Sequence, residues 1–125
     1  MLPKTILVVE DEQPIREVLR RILSREGFQV LEASHGQEAL NVFKRRSKEI
    51  QLVLMDISMP QMDGQTCGRL MLKERPELRI IYMSGDMDPA HMPEDLIKPT
   101  MTFLAKPFTL DILLSTVRRF LDAQD

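Results

Sequence analysis

Short apolar runs rich in β-branched residues alternate five times with segments of helical period along this chain. That alternation constrains the fold more than any other feature. Ile6-Leu7-Val8-Val9 is continuous and apolar, as a strand buried on both faces should be. Ile15, Val18, Leu19, Ile22 and Leu23 then recur at helical spacing and form one apolar stripe. Pro14 suits the first turn of that helix, and Gly27 suits its C-terminal stop. Phe28 to Ala33 reads as a second, more polar strand at a sheet edge, followed by a weaker helical signal from Glu38 to Arg46. Leu52-Val53-Leu54-Met55 is a third strand that runs into Asp56. Gln65 to Arg75 reads as helix, stopped by Pro76. Ile80 to Met83 and Met101 to Ala105 are the last two strands. Leu110, Leu113, Leu114, Val117, Phe120 and Leu121 mark the final helix as a single stripe. Between Ser84 and Pro99, three prolines (Pro89, Pro93 and Pro99) predict a short or irregular fourth helix.

Five strand–helix units predict an α/β fold, a doubly wound parallel sheet with helices on both faces. Right-handed crossovers leave few topologies, and for five strands the order 2-1-3-4-5 is the common one. No repeat, linker or low-complexity tract interrupts the pattern, so residues 1–125 are expected to form a single domain.

In such sheets ligands bind beyond the carboxyl ends of the strands, where the strand order reverses. Strand one ends in Glu10-Asp11-Glu12, and its expected neighbour, strand three, ends in Asp56. Strand four ends at Ser84-Gly85 and strand five at Lys106-Pro107. One rim therefore collects carboxylates, a hydroxyl and an ammonium. Two like charges about 4 Å apart repel by about 4 kcal/mol at an effective dielectric of about 20. A cluster of that kind suits Mg²⁺, which takes oxygen ligands in octahedral array and keeps several waters. Lys106 supplies a mobile positive charge of the kind that binds phosphate.

Composition removes several other function classes. The net charge of −2 gives no reason to expect direct nucleic-acid or anionic-membrane binding. The apolar runs are far shorter than the roughly 20 residues that cross a bilayer. The N-terminal residues show no signal-peptide pattern, and a cytoplasmic location is expected. Cys67 alone cannot form an internal disulfide, and two histidines make a zinc site a poor fit.

Four blocks now carry a resemblance. They are Ile6 to Glu12, Leu54 to Gly64, Tyr82 to Gly85 and Phe103 to Phe108. In that order and near that spacing they resemble the signature blocks of bacterial response-regulator receiver domains, over essentially the whole chain. The resemblance implies a flavodoxin-like (βα)5 fold and a phospho-switch of two-component signalling. Its donor would be a histidine kinase or a histidine phosphotransfer protein, and its downstream protein partner is not specified. Asp56 would be the phosphoacceptor. Asp11 and Asp56 would ligate Mg²⁺ directly, Ser58 through its main-chain carbonyl and Glu10 through a water. Lys106 would pair with Asp56 and then with the phosphoryl oxygens, and the Lys106–Pro107 peptide would be cis. Ser84 would turn inward to the phosphoryl group, and Phe103 would follow from an exposed to a buried rotamer. Glu10, Ser84 and Phe103 stand where Asp, Thr and Tyr are frequent. Ser58, Met59 and Asp86 occupy positions where the family tunes dephosphorylation.

Blander roles fit several residues. Glu12 belongs to the helix N-terminus, where acids are favoured. His35 and His91 read as surface residues, Cys67 as a small hydrophobe and the methionines as packing. A phosphohydrolase with an aspartyl-phosphate intermediate would need an acid two residues past its nucleophile, where this chain has Ser58. A flavin or nucleotide binder would place phosphate against Glu10-Asp11-Glu12, which repels it. A docking module that has lost phosphorylation is at odds with retention of every site residue. Residues 1–125 hold no DNA-binding or enzymatic output domain, so the expectation is a stand-alone regulator or a receiver from a longer protein. Ser84-Gly85, the proline-broken segment and Lys106-Pro107-Phe108-Thr109 resemble receivers of hybrid histidine kinases. A phosphodonor is expected to dock beside Pro14, Ile15, Pro107 and Phe108.

Overall fold

A computed structural model describes residues 3–85, 93–96 and 98–122. Five parallel strands form one sheet in the order β2-β1-β3-β4-β5, as the alternation predicts. They are β1 (Thr5–Val9), β2 (Gln29–Ala33), β3 (Ile50–Asp56), β4 (Arg79–Ser84) and β5 (Met101–Ala105). The described α-helices are α1 (Gln13–Arg25), α2 (Gly36–Arg46), α3 (Gly64–Glu74) and α4 (Leu110–Asp122). In the proline-interrupted stretch the described residues include one 3-10 turn, Glu94–Leu96. Asp86 and His91 lie outside the described residues.

The period-2 geometry of each strand sorts its apolar side chains between two cores. Leu7, Val9, Val53, Met55, Ile80 and Tyr82 face α2 and α3. Ile6, Val8, Leu52, Leu54, Ile81 and Met83 face α1 and α4. Burial on both faces explains why these strands read as unbroken apolar runs. β2 is the exception, an edge strand with mixed exposure, as its polarity predicts.

Helix ends follow local chemistry. Gly27 takes φ +94° just past α1, a conformation that a side chain would strain. Pro14 occupies the first turn of α1, with exposed Glu12 at the N-cap. The α2 helix begins two residues earlier than its apolar pattern, because His35 caps it. His35 Nδ1 accepts from the Glu38 amide, while Glu38 Oε1 accepts from the Ser34 amide at 2.6 Å. This reciprocal capping is invisible to an apolar-periodicity reading.

Two stripes are only partly core. Val18 is 53% exposed and Leu110 52% exposed, although both belong to the stripes that mark their helices. The sheet takes only the centre of each stripe. The outer edges of α1 and α4 instead line an open groove of about 340 Å³, together with Pro14, Ile15, Ile22 and Phe108.

Candidate phosphoacceptor site

The sheet register assembles the rim residues. β1 and β3 pair with Val9 opposite Met55, so the next residues, Glu10 and Asp56, emerge side by side at the strand ends. The turn into α1 then presents Asp11. Carboxylate oxygens of Glu10, Asp11 and Asp56 all lie within 4.8 Å of one another. Glu10 is fully buried and Asp56 is 4% exposed, while Asp11 is the most open of the three. β4 and β5 pair with Ser84 opposite Ala105, and the Lys106 amide donates to the Ser84 carbonyl at 2.8 Å. Lys106 and buried Ser84 thus join the same rim. The Lys106–Pro107 peptide is cis.

Lys106 makes the expected ion pair with Asp56 and a closer one with Glu10. Its ammonium donates to Glu10 Oε1 at 2.7 Å and stands 3.5 Å from Asp56 Oδ1. The other Glu10 oxygen accepts from the Glu12 amide at 3.4 Å. Burial, followed by the hydrogen bond and negative charge of Glu10, pushes the Asp56 carboxyl from its usual 3.8 up to about 7, against the opposing pull of Lys106. Burial draws the Lys106 ammonium down, but the hydrogen bond and charge of Glu10, with those of Asp56, leave it above its ordinary value.

The loop after β3 is tightly built. The Ile57 amide donates to the Met83 carbonyl, and the Ile57 carbonyl accepts from Met59 and Gly64 amides. Gly64 opens α3 directly over Asp56, where a Cβ would collide with the Asp56 carbonyl oxygen. Asp63 caps the helix by accepting from the Thr66 amide at 2.8 Å. Ser58 is exposed at the start of this loop, and Met59 is buried. Phe103 is half-buried on the α2–α3 side of β5. It stacks on Tyr82 with ring centroids 5.5 Å apart.

One residue at the rim escaped the sequence reading. Arg16 on α1 donates from Nη1 to the Glu10 carbonyl at 2.8 Å and approaches Glu32 of β2 at 3.5 Å. Arg16 is a polar residue beside the apolar stripe, and only the folded turn shows what it reaches.

An acidic pocket at the switch point of a 2-1-3-4-5 sheet, faced by a lysine just past the end of β5, defines a class. The chain belongs to the response regulator receiver domain family, whose model matches residues 6–118. It is 38% identical over 124 residues to the sensor kinase CckA of Brucella abortus, spanning 97% of this chain and 13% of that protein. It is 31% identical to sporulation initiation phosphotransferase F of Bacillus subtilis, covering 97% of this chain and 96% of that one. The chemotaxis protein CheY4 of Vibrio cholerae superposes with a TM-score of 0.86 at 25% identity, over 95% of this chain and 99% of that one. The receiver domain of hybrid histidine kinase CckA superposes with 0.80 at 32% identity, over 94% and 98%. The relatives thus include a receiver within a much longer kinase and one of nearly this chain's own length. Among the described residues no helix is long and apolar enough to cross a membrane.

Proposed function

We propose that this chain receives a phosphoryl group on Asp56 from a phosphohistidine, carried by a histidine kinase or a histidine phosphotransfer protein, in a two-component phosphorelay. The observation that carries the reading is the convergence of Glu10, Asp11 and Asp56 within 4.8 Å, with Lys106 in contact with two of them.

An Asp56 carboxylate oxygen forms the new P–O bond as the P–N bond of the donor breaks and the imidazole departs. Only the ionised carboxylate is nucleophilic, and burial, followed by Glu10, raises the Asp56 carboxyl and so favours its neutral form until positive charge is supplied. The donor set fits Mg²⁺. Three carboxylates at one rim, without sulfur or imidazole, suit a hard cation, and their crowding calls for one. Asp11 and Asp56 would hold it directly, with the Ser58 main-chain carbonyl, and Glu10 through a water. Bound there, Mg²⁺ would supply positive charge that lets a phosphoryl dianion approach. Lys106 then exchanges its carboxylate contacts for the phosphoryl oxygens. Ser84 turns to hydrogen-bond the same group, and Phe103 moves from its stack on Tyr82 into the space beside Ser84. Slow hydrolysis of the acyl phosphate resets the chain, which acts as a switch and not as a turnover enzyme.

The groove between α1 and α4 borders the site through Pro14, Ile15 and Phe108. Its apolar lining and exposed Val18 and Leu110 suit a helical surface of the phosphodonor. The test is a ¹H–¹⁵N titration with Mg²⁺ and then beryllofluoride, a phosphoryl mimic. Shifts at Asp11, Asp56, Ser84 and Lys106 that extend to Phe103 are expected. A response to Mg²⁺ with none to beryllofluoride would contradict the switch.

A further inference from the structure

The Glu10 peptide must leave the sheet ladder and turn into α1 within three residues, since β1 ends at Val9 and α1 begins at Gln13. Its amide still donates to the Ala33 carbonyl of β2 at 3.1 Å. Its carbonyl takes the Arg16 guanidinium at 2.8 Å as a donor, which a buried carbonyl requires. Arg16 is itself held. Its Nε lies 3.5 Å from the carboxylate of Glu32, and its side chain is only 18% exposed. Glu32 sits opposite Val8 in the register, so the anchor lies on the strand beside the site.

We propose that Arg16 is a positioning residue for the divalent-cation pocket, fixing the peptide that joins Glu10 to Asp11 so that both carboxylates converge on Asp56. The proposal rests on the metal reading given above. The peptide between Glu10 and Asp11 carries two of the three clustered acids. Rotation of that peptide would swing Asp11 away from Asp56 or draw Glu10 off Lys106. A guanidinium serves here because its planar fork offers Nη1 to the carbonyl and Nε to Glu32 at once, whereas a lysine ammonium is a single point. Groups that orient a metal's ligands commonly change its affinity about 10–100-fold when removed. Arg16 grips main chain and not a ligand atom, which places its effect near the lower end.

Two simpler roles for Arg16 predict different outcomes. If it only lowered the negative potential of the pocket, lysine would substitute fully. If it only fastened α1 to the sheet, its loss would lower Tm without touching cation binding. The experiment titrates MgCl2 into ¹⁵N-labelled wild type, Arg16→Lys and Glu32→Gln, following the Asp11 and Asp56 amides, with Tm measured in EDTA. Arg16→Lys should raise the Mg²⁺ Kd about tenfold, and Glu32→Gln, which releases only the anchor, about twofold to threefold. Phosphorylation of Arg16→Lys by acetyl phosphate should regain the wild-type rate at saturating Mg²⁺. Equal Kd values for wild type and Arg16→Lys would overturn the proposal and leave the metal reading standing. A wild type whose amides ignore Mg²⁺ would overturn both.

Discussion

Replacing Asp56 with Asn should stabilise the metal-free protein at alkaline pH. Asp56 is 4% exposed, so solvent screens its repulsion by Glu10 and Asp11 weakly. Its carboxyl is raised from 3.8 to about 7, first by burial and then by Glu10. The folded chain therefore binds this proton more tightly than the unfolded chain between about pH 4 and pH 7. Its contribution to stability falls as pH rises through that window and levels off above it. At about 1.4 kcal/mol per pH unit the full loss is at most about 4 kcal/mol. Asn keeps the shape and removes the charge. The expected gain for Asp56→Asn is about 2–4 kcal/mol at pH 8 in EDTA, shrinking toward zero near pH 4. Urea unfolding followed by circular dichroism at several pH values reads this directly. Mg²⁺ should stabilise the wild type at pH 8 far more than the variant. Parallel pH–stability curves, or an Asn variant less stable than wild type at pH 8 in EDTA, would refute the electrostatic reasoning.

Lys106→Met should leave Glu10 buried without its ammonium partner. About 2 kcal/mol of stability should be lost, less than for a fully buried pair because Lys106 is 22% exposed. Urea unfolding measures it, and labelling by acetyl phosphate should fall sharply. Gly64→Ala should drive a methyl into the Asp56 carbonyl. A loss of about 2–3 kcal/mol is expected, with slower phosphorylation, while Gly27→Ala, which meets no atom within 4 Å, should cost less and leave phosphorylation unchanged. Ile15→Asp should reduce transfer from the cognate phosphohistidine protein about tenfold or more and leave acetyl phosphate labelling unchanged. Equal transfer by that variant would place donor docking elsewhere.

The sheet was legible because parallel strands buried on both faces cannot hide their apolar character. Ile6 to Val9, Leu52 to Met55 and Ile80 to Met83 all fall inside observed strands. Handedness left few topologies, the commonest of them 2-1-3-4-5, and the strand ends in that order then selected Glu10, Asp11, Asp56, Ser84 and Lys106. Periodicity could not separate core from groove, so Val18 and Leu110 read as interior although both are about half exposed. Nor could it show that Lys106 grips Glu10 more closely than Asp56. That choice depends on side-chain reach between residues 96 positions apart. Arg16 was missed for the same reason, because its partners are a main-chain carbonyl and a carboxylate on another strand.

Phosphorylation at Asp56 is tested most directly by intact-mass spectrometry after incubation with acetyl phosphate and MgCl2. The wild type should gain one phosphoryl group, about 80 Da. EDTA should abolish the gain, and Asp56→Asn should show none. An Asp56→Asn protein that takes up the same mass at the same rate would contradict the assignment of the acceptor.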